Sequence, residues 1–140
     1  MGEINLNKKA ILITGTIVSN SVFVAHTNVE QRRLEYIEGL LFYKSQFPHD
    51  DVFFLENSAH DFENDISLKT YLLNNQITLI KFPVSTKIEE GKGYQEFEML
   101  DFAIESLHKK YNYFIKVTGR YKVLNIKDIT KTNNTQLMCT

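Results

Sequence analysis

The sequence predicts an α/β protein, a three-layer α/β/α sandwich built on a mostly parallel sheet of about four strands. Apolar segments of strand length alternate along the chain with segments of helical periodicity, an order typical of right-handed strand–helix–strand crossovers. The first two apolar segments are continuous rather than alternating, which is typical of strands that helices cover on both faces. A chain of 140 residues has room for one such domain, which we expect to span residues 1–140.

Four apolar segments are predicted as strands. They cover residues 10–14, 52–55, 77–82 and 113–117. The last of them is followed by Thr118-Gly119-Arg120. In a parallel sheet, this order places a fixed positive charge at the edge where such sheets bind ligands.

Helical periodicity occupies the intervals between the strands. The first helix is predicted to begin at a capping box, Thr27-x-x-Glu30, and to end before Pro48. Its predicted apolar face consists of Val29, Tyr36, Ile37, Leu40 and Leu41. A short helix is predicted over residues 65–74, and a short amphipathic segment over 126–129. The clearest helix has apolar residues spaced in steps of three and four, namely Phe97, Leu100, Ile104, Leu107 and Tyr111.

The composition argues against several classes of protein. The formal net charge of −1 gives no overall field that would attract the chain to nucleic acid. The single cysteine, Cys139, cannot form a disulfide or a thiolate metal site within one chain. The apolar run after the polar N-terminus is too short for a signal peptide or a transmembrane segment, so we expect a cytoplasmic protein.

The ends of the predicted strands carry candidate ligand-binding residues. Thr14, Gly15 and Thr16 follow the first strand, and Glu56, which is suited to accept hydrogen bonds from a base or a ribose, follows the second. Arg120 follows the fourth, and its planar donor fork matches a phosphate or a carboxylate. Because loops are commonly polar whatever they bind, these residue types alone leave an ordinary surface as the alternative.

The start of the third helix adds a second group of candidates. Gly93 would let backbone N–H groups approach a diphosphate, the helix start carries partial positive charge, and Lys92 adds a full charge. The segment is not a P-loop, and no glycine-rich dinucleotide motif follows the first strand. A flexible loop with a helix-starting glycine is the alternative. On the first helix, Arg33 lies closer to the apolar face than Arg32, so Arg33 is the candidate for phosphate and Arg32 is expected in solvent.

Other polar groups are interpreted as structural. The acidic run Asp61, Glu63 and Asp65 is expected to form a solvated loop and a helix cap rather than a cation site. The four histidines lack the spacing of a metal site, and no nucleophile–base pair can be argued. We therefore assign no catalytic residue and no metal ligand.

The order of these motifs resembles the nucleotide-binding half of GT-A-type glycosyltransferases, especially bacterial enzymes that build surface polysaccharides such as lipopolysaccharide and capsule. The matching segments are residues 11–16, 32–36, 54–58, 91–98 and 114–121. Each segment is weakly specific, and the resemblance depends on their order and on their placement at strand ends. It implies a Rossmann-like, GT-A-like sheet.

The resemblance also implies a function. A nucleotide-sugar donor would lie across the strand ends, and its glycosyl group would be transferred to a hydroxyl of a glycan acceptor. The residues expected to bind the nucleotide and its diphosphate are Thr14, Gly15, Thr16, Arg33, Glu56, Lys92, Gly93 and Arg120.

Two departures from the family qualify what the resemblance implies. Many members hold Mn²⁺ or Mg²⁺ with an Asp-x-Asp motif after the fourth strand, where this chain has Thr118-Gly119-Arg120. A divalent cation is therefore not a required part of the prediction, because Arg120 and Lys92 would neutralise the leaving diphosphate. Members also usually continue into an acceptor-binding half with a catalytic base. We therefore expect residues 1–140 to be a GT-A-like domain that is incomplete at its C-terminus and depends on a further part for catalysis.

Other functions fit the same fold. A small non-catalytic α/β binding or interaction module is the main alternative. A nucleotidyltransferase is less favoured, because the glycine-rich loop with Arg and Lys that such enzymes carry after the first strand is missing. Peripheral association with a membrane and self-association through a sheet edge both remain compatible with the sequence.

Overall fold

The secondary structure follows the predicted order. The computed structural model describes residues 8–18, 29–83 and 92–130, with the backbone alone for Lys92 and Gly93. Its elements are β1 (Lys9–Gly15), α1 (Val29–Gln46), β2 (Asp51–Glu56), α2 (Ile66–Asn74), β3 (Ile77–Lys81), α3 (Lys92–Leu107), β4 (Tyr113–Thr118) and α4 (Ile126–Thr130). Each predicted strand is confirmed, with ends that differ by one residue at most. The predicted capping box at Thr27 lies outside the described residues.

The described strands form one parallel sheet in the order β3-β2-β1-β4. The chain moves outward from β1 to β2 and β3, and then crosses back to place β4 on the other side of β1. Thr14 in β1 is opposite both Leu55 in β2 and Thr118 in β4, so the carboxyl ends of these strands lie at one edge. The predicted α/β/α sandwich with a Rossmann-like sheet is confirmed.

Alternate residues of β1 face two separate apolar layers. Ile11 and Ile13 lie in a core with Tyr36 and Leu40 of α1, and we call this side of the sheet the α1 face. Helix α2 joins the same layer through Leu68 and Leu72. The opposite side, the α3 face, carries a core that consists of Ala10, Leu12, Phe53, Leu55, Met99, Ala103 and Tyr111.

Helix α1 is rotated relative to its predicted apolar face. Val29 and Leu41, expected in the core, are 42% and 53% exposed. Tyr36 and Leu40 are buried as predicted, and Arg32, Gly39 and Tyr43 are buried with them. This rotation is fixed by close packing, because a Cβ on Gly39 would lie 1.7 Å from the carbonyl oxygen of Gly119.

Helix α3 shows a similar shift. Phe97 and Ile104, two of its predicted core residues, are largely exposed, whereas Met99 and Ala103 are buried against the sheet. Because Glu96 is spaced three residues before Met99 and seven before Ala103, it lies on the sheet-facing side of the helix. Within the three described ranges, no helix is long and apolar enough to cross a membrane.

Candidate functional site at the carboxyl edge of the sheet

The sheet has a topological switch point between β1 and β4, where the direction of strand order reverses. Open parallel sheets bind ligands in the crevice outside the carboxyl ends at such a point. Here β1 ends at Gly15 and β4 at Thr118, and the N–H of Gly119 donates to the carbonyl oxygen of Thr14 at 2.9 Å. The topology therefore selects this edge as the candidate site.

The glycines at this point are needed for packing. A Cβ on Gly15 would lie 2.6 Å from the ring of Phe54 and 2.7 Å from that of Tyr36. A Cβ on Gly119 would lie 2.8 Å from the same Tyr36 ring. Both glycines thus make room for one aromatic side chain of α1 beneath the crevice.

On the α1 face, Glu56 holds the segments that follow β1 and β2 through hydrogen bonds. It is fully buried, and its carboxylate accepts hydrogen bonds from Ile17 N at 2.7 Å, from Ser58 N at 2.8 Å and from the Ser58 hydroxyl. Lys81 Nζ lies 2.8 Å from the same carboxylate. Both carboxylate oxygens are therefore occupied by groups of the protein.

Thr16 belongs to the same turn. Its N–H donates to the hydroxyl of Tyr36 at 2.8 Å, and its own hydroxyl donates to Asn57 Oδ1 at 2.6 Å. Burial raises the pKa of Tyr36, which remains a neutral hydrogen-bond donor and acceptor at this position. The turn after β1 is consequently held by side chains from α1 and from the segment that follows β2.

The prediction for Arg32 on α1 is wrong. Arg32, expected in solvent, is 2% exposed, and its guanidinium donates to the carbonyl oxygens of Thr16 and Ile17. Its Nη1 is buried and has no hydrogen-bond partner within the described part of the chain. The helix rotation that buries Tyr36 also turns Arg32 inward, since the two residues are one turn apart.

Arg33 is held at the start of α2. Its Nε and Nη2 lie 2.7 and 2.8 Å from the two carboxylate oxygens of Asp65, which also caps α2 by accepting a hydrogen bond from Leu68 N. The hydrogen bond from Arg33 holds the pKa of the Asp65 carboxyl well below its usual range. The prediction that this acidic run provides a helix cap is confirmed, and the phosphate candidate Arg33 already has a bidentate partner.

Arg120 lies at the crevice and points toward the α1 face. Its Nη2 is 3.2 Å from Glu35 Oε1, and both side chains are partly exposed. Its Nε is buried and has no partner among the residues that the structure describes. Lys92 begins α3 on the opposite face, at the same edge, and its side chain lies outside the described residues.

The α3 face carries a second polar cluster, which the sequence interpretation did not assign. Glu96 Oε1 accepts a hydrogen bond from Thr14 Oγ1 at 2.6 Å and lies 2.8 Å from Lys116 Nζ. Lys116 also donates to Thr118 Oγ1 at 3.3 Å. A lysine between Ile115 and Val117 in a predicted buried strand was the available signal for this cluster.

These positions divide the predicted site residues into groups. Thr14, Gly15, Thr16, Glu56 and Arg120 meet at the carboxyl edge, whereas Arg33 is bound to Asp65 at the boundary between α1 and α2. The backbone of Lys92 and Gly93 starts α3 at the same edge. No group of three His, Cys, Asp or Glu side chains that could hold a metal occurs in the ranges 8–18, 29–83 and 94–130.

A groove of about 390 Å³ lies at the other, amino edge of the sheet. Lys9, Phe47, Asp50 and Lys127 are among the residues that line it. Because the strands run toward the opposite edge, this groove is remote from the switch point, and we do not assign the ligand site to it.

Comparisons of the chain with protein-family models, with curated proteins and with solved structures find no match. The resemblance to glycosyltransferases therefore stays a prediction.

Proposed function

We propose that this chain is the donor-binding part of a glycosyltransferase. It binds a nucleoside diphosphate sugar at the carboxyl edge of the sheet, and the glycosyl group is transferred to a hydroxyl of a glycan acceptor. The observation that supports this most strongly is the switch point between β1 and β4, where Thr14, Thr118 and Arg120 come together. The protein would act in the cytoplasm, in keeping with its single cysteine.

Arg120 is the proposed ligand of the diphosphate. Its pair with Glu35 is partly exposed, and such pairs contribute only about 0.2–1 kcal/mol. A hydrogen bond from a guanidinium to a phosphate contributes about 1.5–3 kcal/mol, so a diphosphate can displace Glu35.

The start of α3 is the proposed second contact. The helix is 16 residues long, and its N-terminus at this edge carries partial positive charge. Together with Lys92 and Arg120, it would neutralise the leaving diphosphate without a divalent cation.

Thermal shift measurements with UDP, GDP, CDP and dTDP sugars test the proposal. Because a ligand that binds the folded state raises its stability by mass action, one of these donors should raise the unfolding temperature in the presence of EDTA. Arg120→Ala should weaken binding by about 1.5–3 kcal/mol, whereas Lys122→Ala, which removes a nearby exposed cation, should leave binding within about twofold.

Three results would argue against this assignment. A strict requirement for Mn²⁺ would contradict neutralisation by side chains. Unchanged binding by a folded Arg120→Ala variant, or by Gly93→Val, would place the nucleotide elsewhere. A flat response to every donor at millimolar concentration would contradict nucleotide binding itself.

A non-catalytic interaction module is the second candidate. The observation that favours it is that three cations at the carboxyl edge, Lys81, Lys116 and Arg120, already pair with carboxylates of the protein. A module without ligand chemistry needs no available cation. The flat thermal response described above is the result that would support it.

A further inference from the structure

We infer that Glu96 is a ligand-binding residue that accepts hydrogen bonds from two neighbouring hydroxyl groups of the bound molecule. This inference rests on the proposed function, since a nucleotide sugar carries such hydroxyl pairs on its ribose and on its transferred sugar. Lys116 positions the Glu96 carboxylate, and Thr14 and Thr118 complete the cluster.

The location of Glu96 places it at the candidate site. It lies in the second turn of α3, which starts at the carboxyl edge, and it contacts Thr14 of β1 and Lys116 of β4. Thr14 and Thr118 are directly opposite each other in the register of these two strands. Glu96 therefore lies over the gap between the two strands that define the switch point.

Only one oxygen of the Glu96 carboxylate has a partner among the described residues. Thr14 Oγ1 and Lys116 Nζ both bind Oε1, and no described residue donates a hydrogen bond to Oε2. The side chain of Glu96 is 32% exposed, whereas that of Lys116 is 7% exposed. One oxygen is thus anchored from below while the other remains available to a ligand. A carboxylate oxygen has two lone pairs and accepts hydroxyl donors in this arrangement.

Stability does not explain the pair. The layer beneath it is apolar and includes Leu12, Leu55 and Met99, which already attach α3 to the sheet. Burying the charge of Lys116 has a desolvation cost, and an apolar residue of similar volume commonly gives equal or greater stability. A buried lysine that holds a partly exposed carboxylate at a ligand crevice is therefore better explained by binding.

Glu96→Gln is the variant that tests the inference. It keeps the carbonyl oxygen that accepts from Thr14 and Lys116, and it replaces the outward oxygen by an amide that cannot accept hydroxyl protons. Glu105→Gln is the matched control, because it makes the same change at an exposed position of the same helix. Both full-length variants and the parent are titrated calorimetrically with the sugar nucleotide that stabilises the parent, with its nucleoside diphosphate and with the 2′,3′-dideoxy form of that diphosphate.

The expected result is a loss of about tenfold or more in affinity for the sugar nucleotide in Glu96→Gln, and no change in Glu105→Gln. If the hydroxyls belong to the transferred sugar, the affinity for the nucleoside diphosphate stays within about twofold. If they belong to the ribose, both ligands lose affinity, and the dideoxy diphosphate binds the parent and Glu96→Gln equally.

Other outcomes overturn the inference. Equal affinities of the parent and a folded Glu96→Gln variant would show that Glu96 only supports the fold, as would an equal loss in Glu105→Gln. Failure of the parent to bind any donor would refute the proposed function and this inference with it. If Glu96→Gln does not fold, Glu96→Asp keeps the charge near Lys116 and withdraws the carboxylate, and unchanged affinity in that variant would again refute the inference.

Discussion

Two glutamates at the carboxyl edge of the sheet each lie 2.8 Å from a lysine, but the burial of the two pairs is reversed. On the α1 face the glutamate is the buried partner: the side chain of Glu56 is 0% exposed, and that of Lys81 is 35% exposed. On the α3 face the lysine is buried, and Glu96 reaches the surface. The two ion pairs therefore have opposite orientations, because one buries its carboxylate and the other buries its ammonium group.

The buried member decides what each pair can do. A buried carboxylate needs donors for both oxygens, and Glu56 obtains them from Ile17, Ser58 and Lys81. It therefore fixes the loops and has no capacity for a ligand. A buried ammonium needs acceptors, and Lys116 obtains them from Glu96 and Thr118, which holds a carboxylate outward at the crevice.

The same substitution in the two glutamates should have unequal effects on stability. Glu56→Gln places an amide NH₂ against donors in a closed site, and we expect it to lower the free energy of unfolding by about 3 kcal/mol. Glu96→Gln keeps the inner acceptor and exposes its amide, so a loss of about 1 kcal/mol or less is expected. Urea unfolding of both variants measures the difference. Equal losses would mean that the two pairs have the same structural role.

Acid should weaken the α1 face through Asp65. Arg33 holds the pKa of the Asp65 carboxyl below its usual range, so the stabilisation is complete above the unfolded-state pKa of about 3.9. It is lost progressively as the pH falls from that value toward the folded-state pKa, by up to about 2 kcal/mol.

Asp65→Asn should remove this part of the acid dependence, because an amide does not titrate. Urea unfolding at about pH 7 and about pH 3 measures it. Glu63→Gln, an exposed neighbour, is the control and should retain the parent's loss of stability. An equal loss in Asp65→Asn and the parent would show that other carboxyls are responsible.

The two lysines should differ by a smaller amount. Lys81→Met leaves a charged carboxylate buried with its remaining donors, and we expect a loss of about 1–2 kcal/mol. Lys116→Met leaves Glu96 near water and adds apolar surface to an apolar layer, so stability should change by less than about 1 kcal/mol. Thermal unfolding of the two variants compares them. A larger loss in Lys116→Met would reverse the proposed distinction between the two faces.

The order and type of the elements were predictable because they depend on local patterns. A run such as residues 10–14 is apolar throughout, and continuous apolar character is typical of a strand buried on both faces. The alternation of strands and helices then restricts the topology to parallel crossovers. The convergence of Thr14, Glu56 and Arg120 at one edge also follows from that order, since all three residues lie at strand ends.

The side-chain partners at that edge were not predictable in the same way. Rotating a helix by one residue changes the direction of a side chain by about 100°, and periodicity alone does not define the rotation to that precision. On α1 this difference buried Arg32, which the periodicity placed in solvent. On α3 it brought Glu96 onto the sheet and left Phe97 exposed.

By itself, then, the amino-acid sequence determined a parallel α/β sheet with polar residues and Arg120 at the ends of its strands, because hydrophobic periodicity and connection order are local properties of the chain. Tertiary structure alone decided which charged groups are buried in contacts within the protein and which face the solvent. That choice depends on the close contact of Gly39 with Gly119 and on the register that pairs Thr14 with Thr118, both of which join residues far apart in the sequence.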